Sequence, residues 1–277
     1  MDKNIQEILV NNVLLSSDHQ FDRDFIETLR LIKREKIVNP VITISSNTSS
    51  IIAGSEEIHQ HIRNYLDERK IEADIIEVGS IGLVSLEPIV SVQLPGKTRL
   101  YFKQVNPENV ISILDGTFNN FIQQEFVLGQ LRNKIHEPWE QVPFLDEIAY
   151  FKNQQRLILD QCGFIDPNSI YEYIASEGYK TFVQAISQNT PEEVCSIVED
   201  SQLRGRGGEG YLTGKKWKIT YETPADQKYL ICNAGESDPG AFMERLLIES
   251  DPHKVVEGIA IASYAVGAQK AFIYIES

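Results

Sequence analysis

The sequence is poor in cysteine, and its three cysteines, Cys162, Cys195 and Cys232, are widely spaced. They contain neither a C-x-x-C pair nor the spacing of a zinc site. We interpret them as reduced, mostly buried thiols, because free cysteine usually behaves as a small hydrophobe. His59 and His61 are two positions apart on a predicted helix, where they face different directions, so the sequence predicts no metal ligands among the histidines.

The sequence also lacks basic residues and long apolar runs. Its 26 Lys and Arg against 40 Asp and Glu give a formal net charge of −14, which repels phosphate backbones and anionic lipid headgroups. We therefore expect no nucleic-acid partner and no direct membrane insertion. No apolar run approaches the roughly 18 residues of a membrane span, and the start "MDKNIQEILV" has no signal-peptide core. The sequence predicts a cytoplasmic protein.

Length and composition indicate a folded α/β chain. The 277 residues leave room for about two domains. A hydrophobic content of 42% and a charged content of 24% are typical of globular proteins. Neither disorder nor a fibrous structure is indicated.

The spacing of apolar residues predicts a thioredoxin-like domain over residues 1–118. Phe21, Phe25, Leu29 and Ile32 recur at helical spacing. Strands are predicted at 41–46 and 73–80 with the helix 54–70 between them, then a hairpin of 87–94 and 99–105, and a helix from Asn106. The order βαβ, hairpin, helix is typical of a thioredoxin-like domain.

Residues 119–190 are predicted to form an ordered helical connector, because they carry too many large apolar side chains for free chain. Two short helices are predicted in it, broken at Gly178. A further helix begins with Thr190 as N-cap, Pro191 in the first turn and Glu193 closing a capping box.

Residues 191–277 are predicted to form part of a Rossmann-like α/β domain. Strand 228–234, helix 251–268 and strand 270–277 make a βαβ unit, which implies a parallel sheet with its ligand at the carboxyl ends of the strands. The stretch "LRGRGGEGYLTGKKW" precedes that unit. It combines two groups of residues suited to a phosphate-bearing cofactor: the glycines Gly205, Gly207, Gly208, Gly210 and Gly214, and the cations Arg204, Arg206, Lys215, Lys216 and Lys218.

Spacing alone leaves the ligand of this loop open, and a mobile surface loop is the alternative. A Walker A loop ending in Gly214 and Lys215 would need glycine at 209 and Ser or Thr at 216, where the chain has Glu209 and Lys216. The letters "GRGGEG" match a dinucleotide fingerprint, but a predicted helix precedes them instead of the required strand.

Three ordered motifs carry a family resemblance: the glycine stretch, "YLICNAGESDPGAFMER" and "DPHKVVEGIAIASYAVGAQKAFIYI". They resemble the 51 kDa FMN- and NADH-binding subunit of respiratory complex I and its relatives in NAD-linked hydrogenases and formate dehydrogenases. Upstream, "SSNTSSIIAGS" and "GSIGLVSLEPIVSV" resemble a fused thioredoxin-like [2Fe–2S] domain. The implied fold is a thioredoxin-like domain, a helical connector and the first half of an FMN-binding Rossmann-like domain.

The resemblance implies the cofactors FMN and NAD(H), with hydride transfer between them and no catalytic side chain, because the cofactors carry the chemistry. The residues it implies for FMN are Gly205, Arg206, Gly207, Gly208, Lys216, Asn233 and Glu236. Those it implies for NADH are Tyr211, Glu236 and Asp238. Two positions depart from the family pattern, Gly235 in place of aspartate and Met243 in place of lysine.

The four cluster-ligand positions of the family correspond here to Ser45, Ser50, Ser80 and Val84. We therefore expect no metal site and no iron–sulfur cluster on this chain. The family also continues beyond "IYI", so we expect activity only with a chain that completes the flavin domain and with other subunits of an NADH-linked redox complex. The alternatives are a non-catalytic assembly or docking subunit that has lost its clusters, and an unrelated nucleotide-binding module.

Overall fold

A computed structural model describes residues 3–16, 22–236 and 238–275. The chain divides into two compact units. The first, called here the five-stranded unit, comprises Phe21–Glu172 together with Glu249–Asp251. The second, called the βαβ unit, comprises Met1–Gln20, Tyr173–Ile248 and Pro252–Ser277. Phe21, which we placed in the first predicted helix, lies outside the described residues.

The helices and strands are numbered along the chain. The helices are α1 Lys3–Leu9, α2 Arg23–Ile32, α3 Thr48–Ile52, α4 Ser55–Arg69, α5 Val110–Phe118, α6 Ala149–Lys152, α7 Ile170–Ala175, α8 Lys180–Gln188, α9 Pro191–Asp200, α10 Thr213–Glu222, α11 Met243–Ser250 and α12 Pro252–Val266. The strands are β1 Val41–Ser45, β2 Asp74–Val78, β3 Val90–Gln93, β4 Leu100–Phe102, β5 Val127–Gln130, β6 Tyr229–Ala234 and β7 Lys270–Ile275.

The sheet of the five-stranded unit has the order β2-β1-β3-β4-β5. Strand β1 runs parallel to β2, with Ile42 opposite Ile75, and antiparallel to β3, with Ile42 opposite Val92. Strands β3 and β4 form the predicted hairpin. A parallel βαβ element followed by an antiparallel hairpin and a helix confirms the thioredoxin-like topology.

Helices α4 and α5 bury their apolar faces in the core of this unit. Ile58, Ile62, Tyr65 and Leu66 of α4 are all buried, as the helical spacing predicted. Every residue of β1 is buried, including the polar Thr43 and Ser45, whose hydroxyls are hydrogen-bonded to those of Ser91 and Ser50, which offsets the cost of burying them.

The structure has a strand within residues 119–190, where the sequence predicted only a helical connector. Residues 127–130 form strand β5, which pairs antiparallel with β4 and extends the sheet beyond residue 118. Gln130 is buried in that strand, and its amide nitrogen donates to the carbonyls of Trp139 and Val142 at 3.0 and 2.8 Å. These bonds offset the cost of burying a polar side chain. The predicted domain boundaries at 118 and 190 stay predictions.

The βαβ unit contains the predicted parallel pair. Strand β6 is parallel to β7, with Ile231 opposite Phe272, and α12 connects them. The predicted break at Gly178 separates α7 from α8. There the carboxylate of Glu257 accepts hydrogen bonds from the Tyr173 hydroxyl at 2.6 Å and from the Tyr179 amide at 2.9 Å. Among the described residues, none of the helices is long and apolar enough to cross a membrane.

Candidate functional site

Helix α9 begins with the capping box that the sequence predicted. The Thr190 hydroxyl accepts a hydrogen bond from the Glu193 amide at 3.3 Å, and the Thr190 amide donates to the Glu193 carboxylate at 2.7 Å. The hydrogen bonds that the Thr190 amide and hydroxyl donate to the Glu193 carboxylate lower the pKa of Glu193. The helix ends at Asp200, and the chain then reverses at Gln202, whose φ is 57°.

Residues 203–213, called here the glycine loop, are closed at their base by two backbone hydrogen bonds. The Gly205 amide donates to the Tyr211 carbonyl at 2.8 Å, and the Thr213 amide donates to the Leu203 carbonyl at 2.9 Å. The loop is therefore a defined turn with a paired base, as a ligand cradle requires, although it lies at the surface.

The tip of the glycine loop leaves space beside its backbone. A Cβ atom added at Gly207, Gly208 or Gly210 would meet no atom within 4 Å. Gly208 and Gly210 have φ values of 99° and 61°, a region that side chains disfavour. The Arg204 guanidinium donates to the Gly210 carbonyl at 2.9 Å and braces the tip. A ligand can thus approach the backbone of the tip closely.

Helix α10 begins at Thr213, the last residue of this loop, so its partly positive N-terminus lies at the base of the loop. Lys216 lies in the first turn of α10 and its side chain is exposed, as is that of Arg206 on the loop. Neither side chain enters an ion pair within the described part of the chain. Gly205, Arg206, Gly207, Gly208, Tyr211 and Lys216 therefore belong to one continuous surface segment with an excess of positive charge.

The other predicted residues lie at the end of strand β6 and in the turn after it. The exposed Asn233 is the next to last residue of the strand, and its side-chain oxygen accepts from the Gly235 amide at 3.1 Å. A Cβ at Gly235 would lie 2.5 Å from a ring carbon of Tyr274. This close approach gives a structural reason for glycine at a position where the resembled family has aspartate.

Glu236 caps the beginning of helix α11. Its two carboxylate oxygens accept from the amides of Glu244 and Arg245 at 3.1 and 3.2 Å. Burial would raise the pKa of Glu236, but the hydrogen bonds from Glu244 and from the amides of 243–245 outweigh it and lower that pKa. Asp238 is exposed two positions further on. The roles expected for Glu236 and Asp238 toward the nucleotide stay predictions.

The structure thus groups the predicted residues into two local clusters within the βαβ unit. One is the glycine loop with the first turn of α10, and the other is the end of β6 with the turn that leads to α11. One contributor was missed from the sequence: Glu244, which bonds to Glu236. Gly214, which the sequence analysis counted among the glycines of the cofactor loop, lets α10 pack on the backbone of α9. Glu236 and Glu244 are eight positions apart in the sequence, a spacing that is not a signal for a contact between two side chains.

The described residues of the βαβ unit leave one face of the β6–β7 pair uncovered. Tyr229 and Ile231 of β6 and Phe272 and Tyr274 of β7 point to the same side, and each is more than half exposed, Ile231 at 67%. The Tyr229 and Phe272 rings lie 6.1 Å apart. A parallel sheet is normally covered on both faces, so we call these four residues the open face.

The family comparison identifies the segment that contains both clusters. Residues 198–277 match the Nuo51 FMN-binding domain of the 51 kDa complex I family. The chain resembles the 51 kDa flavoprotein subunit of complex I. This Nuo51-like segment includes the glycine loop, the end of β6 and the open face. The free thiol Cys232 lies in it on β6, half-buried, whereas Cys162 and Cys195 are buried.

Two curated relatives match over similar lengths. The chain is 50% identical over 126 residues to the NADP-reducing hydrogenase subunit HndC of Solidesulfovibrio fructosivorans, covering 46% of this chain and 25% of that protein. It is 51% identical over 108 residues to an NADH-quinone oxidoreductase subunit of Aquifex aeolicus, covering 39% and 25%. The match therefore spans about a quarter of the length of these relatives. A crystal structure of an NAD+-reducing [NiFe]-hydrogenase aligns with a TM-score of 0.35 and 20% identity, covering 86% of this chain and 37% of that one.

Proposed function

We propose that this chain is a component of an NADH-oxidising flavoprotein that binds FMN through the glycine loop and the N-terminus of α10. The observation that carries the proposal is the open space beside Gly207, Gly208 and Gly210, in a loop whose base is closed by hydrogen bonds. The family match of the same segment to an FMN-binding domain supports it.

The donor set suits a flavin with a phosphate tail. Backbone amides of a glycine-rich turn and the start of a helix bind anions, because their N–H groups converge and the helix dipole favours negative charge. Lys216 and Arg206 add cationic groups at the same segment. We assign the phosphate to Lys216 and the amides of Gly205, Gly207 and Gly208, with Arg206 as a second cation.

The remaining predicted residues are assigned to the flavin and the nucleotide. We assign Asn233 a hydrogen bond to the flavin, and the half-exposed aromatic ring of Tyr211 a stacking contact with the adenine. Asp238 and Glu236 add negative charge that disfavours a 2′-phosphate, which favours NADH over NADPH. Because Glu236 already caps α11, we assign it a positioning role toward the nucleotide and Asp238 the direct contact.

When bound, FMN supplies the chemistry of accepting a hydride from NADH and releasing single electrons to iron–sulfur partners. The chain's own residues bind, orient and balance charge. The half-buried carboxylate of Glu236 keeps the turn that carries Asp238 in place. No side chain of the proposed site needs to act as an acid or base.

We infer that a second polypeptide segment completes this flavin domain by covering the open face. Burying the four apolar side chains of that face would contribute several kcal/mol at about 25 cal/mol per Å². The relatives are about four times longer than the matched region, so they contain sequence that can supply such a cover. The other subunits of an NADH-linked redox complex, in the cytoplasm, are the proposed setting.

The visible spectrum of the purified chain tests this function. The chain is expressed alone and together with the products of neighbouring genes, and bound flavin is measured after gel filtration. We expect near-stoichiometric FMN only in the co-purified sample, and a strong loss of FMN with Lys216→Ala. The control Lys152→Ala, at the end of α6 and exposed like Lys216, should retain the flavin. Colourless protein in both samples would instead favour the assembly or docking role.

A further inference from the structure

Three of the four positions that hold a cluster in the resembled domain form one buried network here. Ser45, Ser50 and Ser80 are at most 3% exposed. The Ser50 hydroxyl lies 2.7 Å from that of Ser45 and 2.8 Å from the side-chain oxygen of Asn47. The Ser45 hydroxyl also accepts from the Ile89 amide at 3.0 Å. These hydroxyls are committed to the protein's own hydrogen bonds.

A [2Fe–2S] cluster does not fit this donor set. Such clusters are held mainly by cysteine thiolates, whereas the network offers neutral hydroxyls. The fourth position, Val84, begins a short 3₁₀ turn and has no donor atom. Within the described residues, moreover, no three His, Cys, Asp or Glu side chains are grouped so that they could hold a metal ion.

The carboxylate of Glu87 is the centre of the network. Glu87 is only 8% exposed, and it accepts hydrogen bonds from the hydroxyls of Ser80 and Ser49 and from the amide nitrogen of Asn47 at 3.4 Å. The donors come from two loops, one around α3 and the other after β2. Because a buried carboxylate is costly unless it is hydrogen-bonded, Glu87 holds these loops together.

The same two loops hold residues 249–251, which belong to the five-stranded unit. The Glu249 carboxylate accepts from the Thr48 amide, at 3.2 Å to one oxygen, and also from the Thr48 hydroxyl. The Ser250 hydroxyl accepts from the Ser80 amide at 3.1 Å. Asp251 is fully buried.

The fit of Ser250 is close. A Cβ atom at Gly79 would lie 2.1 Å from the Ser250 hydroxyl oxygen, so Gly79 leaves the space that Ser250 occupies. Glycine at 79 thus lets the Ser250 hydroxyl come close enough to accept the hydrogen bond from the Ser80 amide.

We propose that the former cluster site is a binding socket for residues 249–251 of this chain, organised by Glu87 in place of iron and sulfide. The five-stranded unit then holds the last two residues of α11 and the single residue before α12, and it does not carry electrons. This inference does not depend on flavin binding, because every contact that supports it lies within the five-stranded unit.

Hydrogen exchange of the full chain, followed by mass spectrometry, tests the socket. The variant Glu87→Gln keeps the side-chain shape but removes the charge and one acceptor atom. We expect exchange to become about tenfold faster or more in peptides covering 47–50, 79–82 and 249–251, because the variant leaves buried hydrogen-bond donors without an acceptor. The exposed control Glu125→Gln should leave all three peptides unchanged.

A second variant keeps the test decisive if Glu87→Gln does not fold. Ser250→Ala removes only the acceptor of the Ser80 amide, and it should speed exchange at 79–82 and 249–251. The socket is overturned if the substitutions change exchange only in the peptide that contains residue 87. It is also overturned if residues 249–251 of the natural chain exchange at the rate of an unprotected peptide. Stoichiometric binding of two iron atoms per chain after anaerobic reconstitution would also overturn it.

Discussion

Gly214 lies so close to Glu199 that a Cβ atom at position 214 would stand 2.1 Å from the Glu199 backbone nitrogen. The contact joins the first turn of α10 to the last turn of α9, and the glycine loop connects the same two helices. The spacing of these helices therefore fixes the distance between the ends of the loop.

Gly214→Ala should lower the free energy of unfolding by roughly 1–3 kcal/mol, because two helix backbones must separate to admit the methyl group. Urea unfolding measures it. The matched control is Gly258→Ala in α12, where an added Cβ meets nothing within 4 Å. That change should stabilise the chain by about 0.5–1 kcal/mol, as alanine does in helices. Equal effects of the two substitutions would contradict the packing role.

Gly207→Ala should separate ligand binding from folding. The protein itself leaves the Cβ position free, so the free energy of unfolding should change by no more than about 0.5 kcal/mol. FMN affinity of the co-purified complex should fall about tenfold or more, since a methyl group in a ligand contact costs roughly 1–3 kcal/mol. A fluorescence titration with FMN measures it. Unchanged affinity would place the flavin away from this backbone.

The pair Glu236 and Glu244 should give the chain a pH-dependent stability. The hydrogen bond to Glu236, and then burial, raise the pKa of Glu244 above its ordinary 4.5. Its protonated form stabilises the fold fully below that value, and this contribution is lost as pH rises through the raised pKa. Glu244→Gln retains a donor at every pH.

As pH rises from about 4 to 7, the natural chain should therefore lose stability relative to Glu244→Gln. Urea unfolding at intervals of pH checks this, with Glu222→Gln at the end of α10 as control. If the unfolding free energies of Glu244→Gln and of the natural chain change with pH in the same way, the contribution assigned to the raised pKa of Glu244 is ruled out.

The buried ion pair of Arg34 and Glu172 should be a strong contact within the five-stranded unit. The Glu172 side chain is 3% exposed and the Arg34 side chain 16%. Arg34→Met leaves a buried carboxylate without its cation, and it should cost about 3–5 kcal/mol. Arg30→Met, which removes a much more exposed pair, with Glu27, should cost about 1 kcal/mol or less. Thermal unfolding compares Arg34→Met with Arg30→Met. Similar losses of stability in the two variants would show that the Arg34–Glu172 pair is no stronger than the Arg30–Glu27 pair.

Sequence periodicity was sufficient to predict the elements whose signals are local. Helix α4 has apolar residues at helical spacing, and α9 carries its capping box in four consecutive positions. Strand β5 could not be predicted in this way. Its four residues include Gly129 and Gln130, and Gln130 is tolerated only because its partners Thr98 and Trp139 are brought close by the fold.

Helix α11 was missed for a related reason. Its cap is Glu236, seven residues before the helix begins, whereas capping signals normally lie within a few positions of the start. The candidate site shows the same limit. The composition of the glycine loop pointed to a ligand, but the space beside Gly207 and the use of Glu236 as a cap are properties of the folded chain.

The open face of β6 and β7 also bears on how the isolated chain behaves in the test tube. Its aromatic and branched side chains border a sheet that has only two strands among the described residues, and exposed apolar surfaces beside strand edges attract copies of themselves. Concentrated samples of the chain alone will tend to self-associate and precipitate, and a cognate companion will act first of all as a solubilising agent.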